Sequence, residues 1–224
     1  CFKIPSYRRL LLASALAYFF FSSVRGFAMI YFQQHYGLSH EVVVAAAAII
    51  GLGALAGVLS GGRISEYLLR HGRISARVVV PTIALFVSIP LLGFGIWTSI
   101  AWLGILVLTI GGLVLGIAIA PVEAARLDVI QSHIWGRAES GRAALRYFFE
   151  GISPLLLGAI SGWIGGKEGL TWGFLIMLIS IVLAGIIAVP LRNTYPRDVA
   201  TAAAAERKMD EKEENHNKDQ DQRK

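Results

Sequence analysis

The stretch VVVAAAAIIGLGALAGVLSGGRISEYLLRHGR, Val42–Arg73, decides the fold. Val42 to Gly62 carries no charge, and Arg63, Glu66, Arg70, His71 and Arg73 follow directly. A helix rises about 1.5 Å per residue, so roughly twenty apolar residues cross the ~30 Å hydrocarbon core of a bilayer. This run is long enough to span, and the arginines mark where it leaves the membrane.

Five further segments meet the same criterion: Leu10–Phe32, Val78–Trp97, Ile100–Val122, Tyr147–Gly165 and Leu170–Leu191. None has the period-two alternation of a barrel strand. The fold class is therefore all-α, a polytopic membrane protein with six transmembrane helices in one bundle. The whole chain, 224 residues, is 55% hydrophobic and only 16% charged, where soluble domains carry about a quarter charged residues. Its net charge of +6 does not point to nucleic acid, because no basic face interleaved with aromatics is present.

The basic residues cluster at the ends of the apolar runs. Lys3, Arg8, Arg9, Arg63, Arg70, Arg73, Arg77, Arg126, Arg137, Arg142, Arg146, Arg192 and Arg197 fall on one side, and Lys167 on the other. The positive-inside rule then puts both termini in the cytoplasm of a cell (plasma) membrane protein. Residues 1–196 form the bundle. Residues 197–224 mix acids and bases and read as a disordered cytoplasmic tail, with a short helix starting near Ala202–Ala205.

Several polar residues stand out inside the spans. Arg25 lies within the first, where a cation costs at least ~2–3 kcal/mol unless it faces protein, water or a ligand. It either snorkels to the interface or lines a substrate pathway with Tyr18 and Ser22 on its face and Gln33 and Gln34 at the end of the span. Glu150, in the fifth span, either pairs locally with Arg146 four residues earlier or titrates as a proton-coupling carboxylate. Glu123 and Arg126 can pair with each other, or the acid can reach Arg142 and Arg146 across the loop. Pro154 predicts a kink or local loosening of the fifth span.

Glycines recur every four residues in two spans, as Gly53, Gly57 and Gly61 and as Gly158, Gly162 and Gly166. Such stripes let helices approach closely in lipid. They serve either packing inside the bundle or a moving interface, and their matched placement hints at an internal repeat of three helices. Catalysis has no foothold. His35, His40, His71 and His133 are scattered, with no HExxH, no Cys/His cluster, no GxSxG and no phosphate-cradling GxxxxGK[ST]. No enzyme activity, cofactor or metal is expected. The partners are the lipid bilayer and a small-molecule substrate.

GGRISEYLLRHGR resembles the loop motif of major facilitator superfamily (MFS) transporters. Gly62 matches the glycine, Glu66 the acid, and Gly72 with Arg73 the later Gly-Arg. Glutamate stands where aspartate is usual, and the spacer is longer. PVEAARLDVIQSHIWGRAESGRAALR is similar to the loop between the tenth and eleventh helices of bacterial members, and GLTWGFLIMLISIVLAGIIAVPLRNTYPRDVATAAA to the last helix and tail.

The resemblance covers nearly the whole chain as helices seven to twelve, one MFS-type bundle, and implies an N-terminal six-helix half as partner. It implies that the first and fourth spans line a cavity, the second and fifth meet the other half, and the third and sixth face lipid. On that basis Gly53, Gly57, Gly61, Gly158 and Gly162 are expected between the halves. Gly62, Glu66, Arg70, Gly72 and Arg73 would form a conformational latch, and Arg142 and Arg146 would receive an acid from the other half. The implied function is secondary active transport by alternating access, with a coupling proton if Glu150 titrates. A self-contained six-helix channel or scaffold, acting as a homodimer, is the alternative.

Overall fold

A computed structural model describes residues 4–130, 135–166 and 168–221; Lys3, His133 and Lys167, counted above, lie outside them. Nine helices are present among the described residues: α1 (Pro5–Tyr36), α2 (His40–Arg70), α3 (Ala76–Trp97), α4 (Ala101–Ile117), α5 (Ile119–Asp128), α6 (Trp135–Ile164), α7 (Gly169–Met177), α8 (Ile179–Ala188) and α9 (Leu191–Asp221). α4 with α5 makes the fourth span and α7 with α8 the sixth, so six helical segments are long and apolar enough to cross a membrane. Most overrun their apolar cores. α2 continues through Glu66 to Arg70, and the chain then reverses at Gly72, whose φ of 79° an L side chain rarely adopts.

The helices pack as two exchanged triplets. The second span lies on the fourth and third, the fifth lies on the first and sixth, and the third and sixth meet each other. The first span packs on the sixth as the fourth packs on the third. The hinted internal repeat is thus visible in the packing. Within the chain the second and fifth spans are the least buried and the sixth the most, although the sixth was expected at the lipid.

The glycine stripe of α2 does not point away from the bundle. A Cβ at Gly57 would sit 2.0 Å from the Leu113 carbonyl oxygen, and one at Gly61 would sit 2.2 Å from that of Ile117. α4 answers with Gly116, where a Cβ would come within 2.3 Å of the Ala54 oxygen. Gly53, against Thr109, completes the row. These three glycines, expected between two halves, instead bring α2 backbone against α4 backbone, because van der Waals contact is the main attraction available between helices in lipid. The fifth-span stripe behaves differently. Gly158 only touches Phe27, and Gly162 has no neighbour within 4 Å of its Cβ position.

α9 also departs from the expected disordered extension. Its alanines and its Glu, Lys and Arg are good helix formers, and its first turns join the core. Tyr195 and Leu191 are buried with Tyr7, Leu10, Val78 and Val129. Asp198 Oδ2 accepts a 3.0 Å hydrogen bond from the Ser6 amide, and Ser6 Oγ donates to Thr194 Oγ1 at 2.9 Å. α1 has no cap from its own N-cap residue, so a carboxylate from the far end of the chain meets its free N–H groups and the positive end of its dipole. The packed unit therefore continues past residue 196.

Candidate functional site: a charged seam between the first and fifth spans

Pro154 sets the local geometry. It lies inside an unbroken α6 and has no N–H, so the Glu150 carbonyl four residues earlier loses its helical partner. Ser22 of α1 supplies the missing donor, its hydroxyl reaching the Glu150 oxygen at 2.7 Å. The neighbouring Ser23 and Ser153 hydroxyls are hydrogen-bonded to each other, and Ser153 also bonds the Phe19 carbonyl. Gly26 faces the Pro154 ring. Ser22 is buried here, so it holds two helices together and does not face an open pathway.

Charged groups extend from this joint toward the arginine-rich end. Arg146 Nε donates to Glu150 Oε1 at 2.7 Å, one helical turn along α6, and its guanidinium lies 3.8 Å from the centre of the Tyr18 ring. Arg25 Nη2 stands 3.7 Å from Glu150 Oε2, too long for a hydrogen bond. The Tyr18 hydroxyl is 3.5 Å from Glu123 Oε1. Beyond it, Arg126 bonds Glu123 at 2.7 Å and Glu139 at 2.5 Å. Arg142 bonds Glu139 and approaches Glu123 at 3.6 Å. Arg126 is nearly fully buried, and its Nε has no partner.

Glu150 pairs locally with Arg146, and Glu123 reaches both Arg126 and Arg142. Arg142 and Arg146, expected to receive an acid from another half, find their acids three and four residues away on their own helix. Tyr18 and Arg25, read onto one face of the first span, meet in one seam with Glu150, which the sequence had not joined to them. Gln33 and Gln34 do not join it. They are exposed at the opposite end, where Gln33 Nε2 lies 3.3 Å from His40 Nδ1.

The loop motif forms a second cluster. Glu66 lies on the extension of α2 and accepts from Arg70 at 3.3 Å and from Arg77 at 3.4 Å. Arg77 also grips Asp128 of α5 at 2.6 Å, and the Tyr195 hydroxyl donates to the same carboxylate. Burial, and then its bond to Asp128, push the Tyr195 phenol above its usual range. Sequence reasoning counted Arg77 only as a topology charge. Its partner is distant in sequence, so no local spacing marked the pair.

An apolar cavity of about 40 Å³ lies between α1, α3, α5 and α8, with Tyr18 and Glu123 in its lining. That space suits a few waters and is far below the roughly 300–1,000 Å³ of a ligand pocket.

Six apolar spans in this exchanged packing define an all-α, polytopic membrane fold. The structure is similar to a bacterial homolog of the human lysosomal transporter Spinster in its inward-facing, unoccupied conformation, with a TM-score of 0.76 and 15% sequence identity. The same homolog in an inward-facing, occupied conformation gives a TM-score of 0.74, again at 15% identity. Each match covers 87% of this chain, and this chain spans about half of the matched one (49% and 50%). No family model matches the sequence, and no curated protein matches it. The chain is a multi-pass membrane protein with this fold.

Proposed function

We propose that the chain is the C-terminal bundle of a secondary active transporter, moving a small solute by alternating access against an N-terminal six-helix half. One observation carries the reading: this fold holds a row of charges running from Arg25 and Glu150, inside the first and fifth spans, to Arg126 at one end. Charged side chains at membrane depth that are this expensive to bury mark solute or ion pathways. The little-buried second and fifth spans offer the face for the other half, and the arginine-rich end is cytoplasmic in a plasma membrane. Glu66, Arg70, Gly72 and Arg73 act as the latch on that side, with Glu66 half exposed and free to exchange Arg70 for a group on the partner half.

Glu150 is the coupling carboxylate. The charged groups facing its carboxylate are Arg146 on its own helix and Arg25 on α1, so protonation would release both arginines at once. In proteoliposomes, Glu150→Gln should abolish accumulation driven by a pH gradient while retaining solute exchange. Unchanged pH-driven accumulation removes the coupling role. Step conductance from this chain alone in a planar bilayer would sink the alternating-access reading and favour a homodimeric channel.

A further inference from the structure

Arg25 is a surplus cation, and the transport reading above gives that surplus a use. Farther along the seam the charges balance, Arg126 and Arg142 against Glu123 and Glu139. At the joint they do not. Two guanidinium groups share Glu150, and Arg146 holds it by a hydrogen bond, leaving Arg25 at 3.7 Å. The Glu150 side chain is 11% exposed and the Arg25 side chain 73%. Arg25 is not drawn to the helix end. It lies seven residues, about 10 Å at ~1.5 Å per residue, before the apolar run ends at Phe32, and the carboxylate it approaches is on α6, inside the fifth span. An unbalanced guanidinium at that depth is costly without a counter-ion, and its forked donors match a planar or tetrahedral oxyanion.

We propose that Arg25 is the receptor for the anionic group of the transported solute, and that the solute is a small organic anion such as a carboxylate, sulfonate or phosphate ester. Glu150 and Arg146 position the guanidinium, and the anion displaces the long Glu150 contact without breaking the Arg146–Glu150 bond. Exposed Met29 and Ile30, one turn on, give the body of the solute an apolar wall.

The oxyanion could also come from a lipid headgroup, so the test separates the two sources. Benzoate, benzenesulfonate and phenyl phosphate are titrated into the protein in neutral detergent, with benzyltrimethylammonium as control, and thermal unfolding is followed by circular dichroism. At least one anion should raise the midpoint in a saturable way. Arg25→Gln should weaken it about tenfold or more, the loss expected for a hydrogen bond to a charged group, while Arg25→Lys keeps measurable binding. Equal response in wild type and Arg25→Gln, or no response to any anion, overturns the proposal. Stabilisation by phosphatidylglycerol nanodiscs but by none of the soluble anions assigns Arg25 to a lipid headgroup and also overturns it. The transport reading fails separately. Anion binding at Arg25 without any flux refutes transport alone, whereas cation flux indifferent to Arg25→Gln refutes the anion site alone.

Discussion

Gly57→Ala tests the tightness of the α2–α4 contact. The added Cβ would fall 2.0 Å from the Leu113 carbonyl oxygen and 2.8 Å from its carbon, both backbone atoms that cannot rotate away. Ordinary contact begins at 3.4 Å, so α2 must retreat by about 1.4 Å at this point. A radial gap of 0.5–1 Å already forfeits roughly a quarter to a half of each contact's attraction, and each carbon pair contributes about 0.1–0.2 kcal/mol. Over some tens of pairs this loses about 2–4 kcal/mol. Replacing a helical glycine by alanine returns about 1 kcal/mol of backbone propensity, which leaves a net loss of about 1–3 kcal/mol. Gly51→Ala is the control, since its Cβ would meet nothing within 4 Å on the same helix, and it should be neutral or stabilising by up to ~1 kcal/mol. Unfolding of each variant in mixed micelles, followed by circular dichroism, measures the difference. Equal stability of the two variants would refute the interlocked-backbone reasoning.

Three other perturbations probe the remaining joints. Arg77→Gln leaves Asp128 and Glu66 without their shared cation; because these groups are only partly buried, the loss should be about 1–2 kcal/mol, and a double-mutant cycle with Asp128→Asn should recover part of it. Asp198→Asn weakens the anion at the start of α1 and should cost about 0.5–1 kcal/mol, visible as faster hydrogen exchange at the Ser6 amide; unchanged exchange rules out the cap. Ser22→Ala strands the Glu150 carbonyl that Pro154 released and should cost about 1–3 kcal/mol, whereas Ser22→Ala combined with Pro154→Ala, which restores the helical donor, should cost less than Ser22→Ala alone.

The six spans were legible because hydropathy over about twenty residues is a strong signal, and the helix ends were not. Hydropathy stops at the first charge, but Arg63 to Arg70 carry no residue that stops a helix, so α2 runs on through Glu66. The glycine stripe was equally legible as a close contact. Its partner was not, because periodicity fixes which face of α2 is small without saying which helix lies against it. For Ser22 a signal did exist in the sequence. Proline at 154 frees the carbonyl of residue 150, and a serine pair in FFFSSVRG could satisfy it, but pairing α1 with α6 required the fold. Nothing local predicted Arg77 with Asp128, or Asp198 with Ser6, since each joins elements that meet only in the folded chain.

The exchanged packing also allows two equivalent joints to be compared. Second span on fourth, and fifth span on first, occupy matching places in the two triplets, yet they are built from opposite chemistry. In the first, the Ile117 carbonyl, freed by Pro121, faces Gly61, and backbone meets backbone with no room for a methyl group. Sliding there brings atoms into collision. In the second, the carbonyl freed by Pro154 is met by the Ser22 hydroxyl, and Arg25, Arg146 and Glu150 share contacts of unequal length. A hydroxyl can rotate to a new acceptor and a guanidinium can trade one oxyanion for another at a cost near that of a single hydrogen bond. The same exchanged packing therefore yields one joint that resists displacement and one that tolerates it. The tolerant joint is the one that carries Arg25, Arg146 and Glu150.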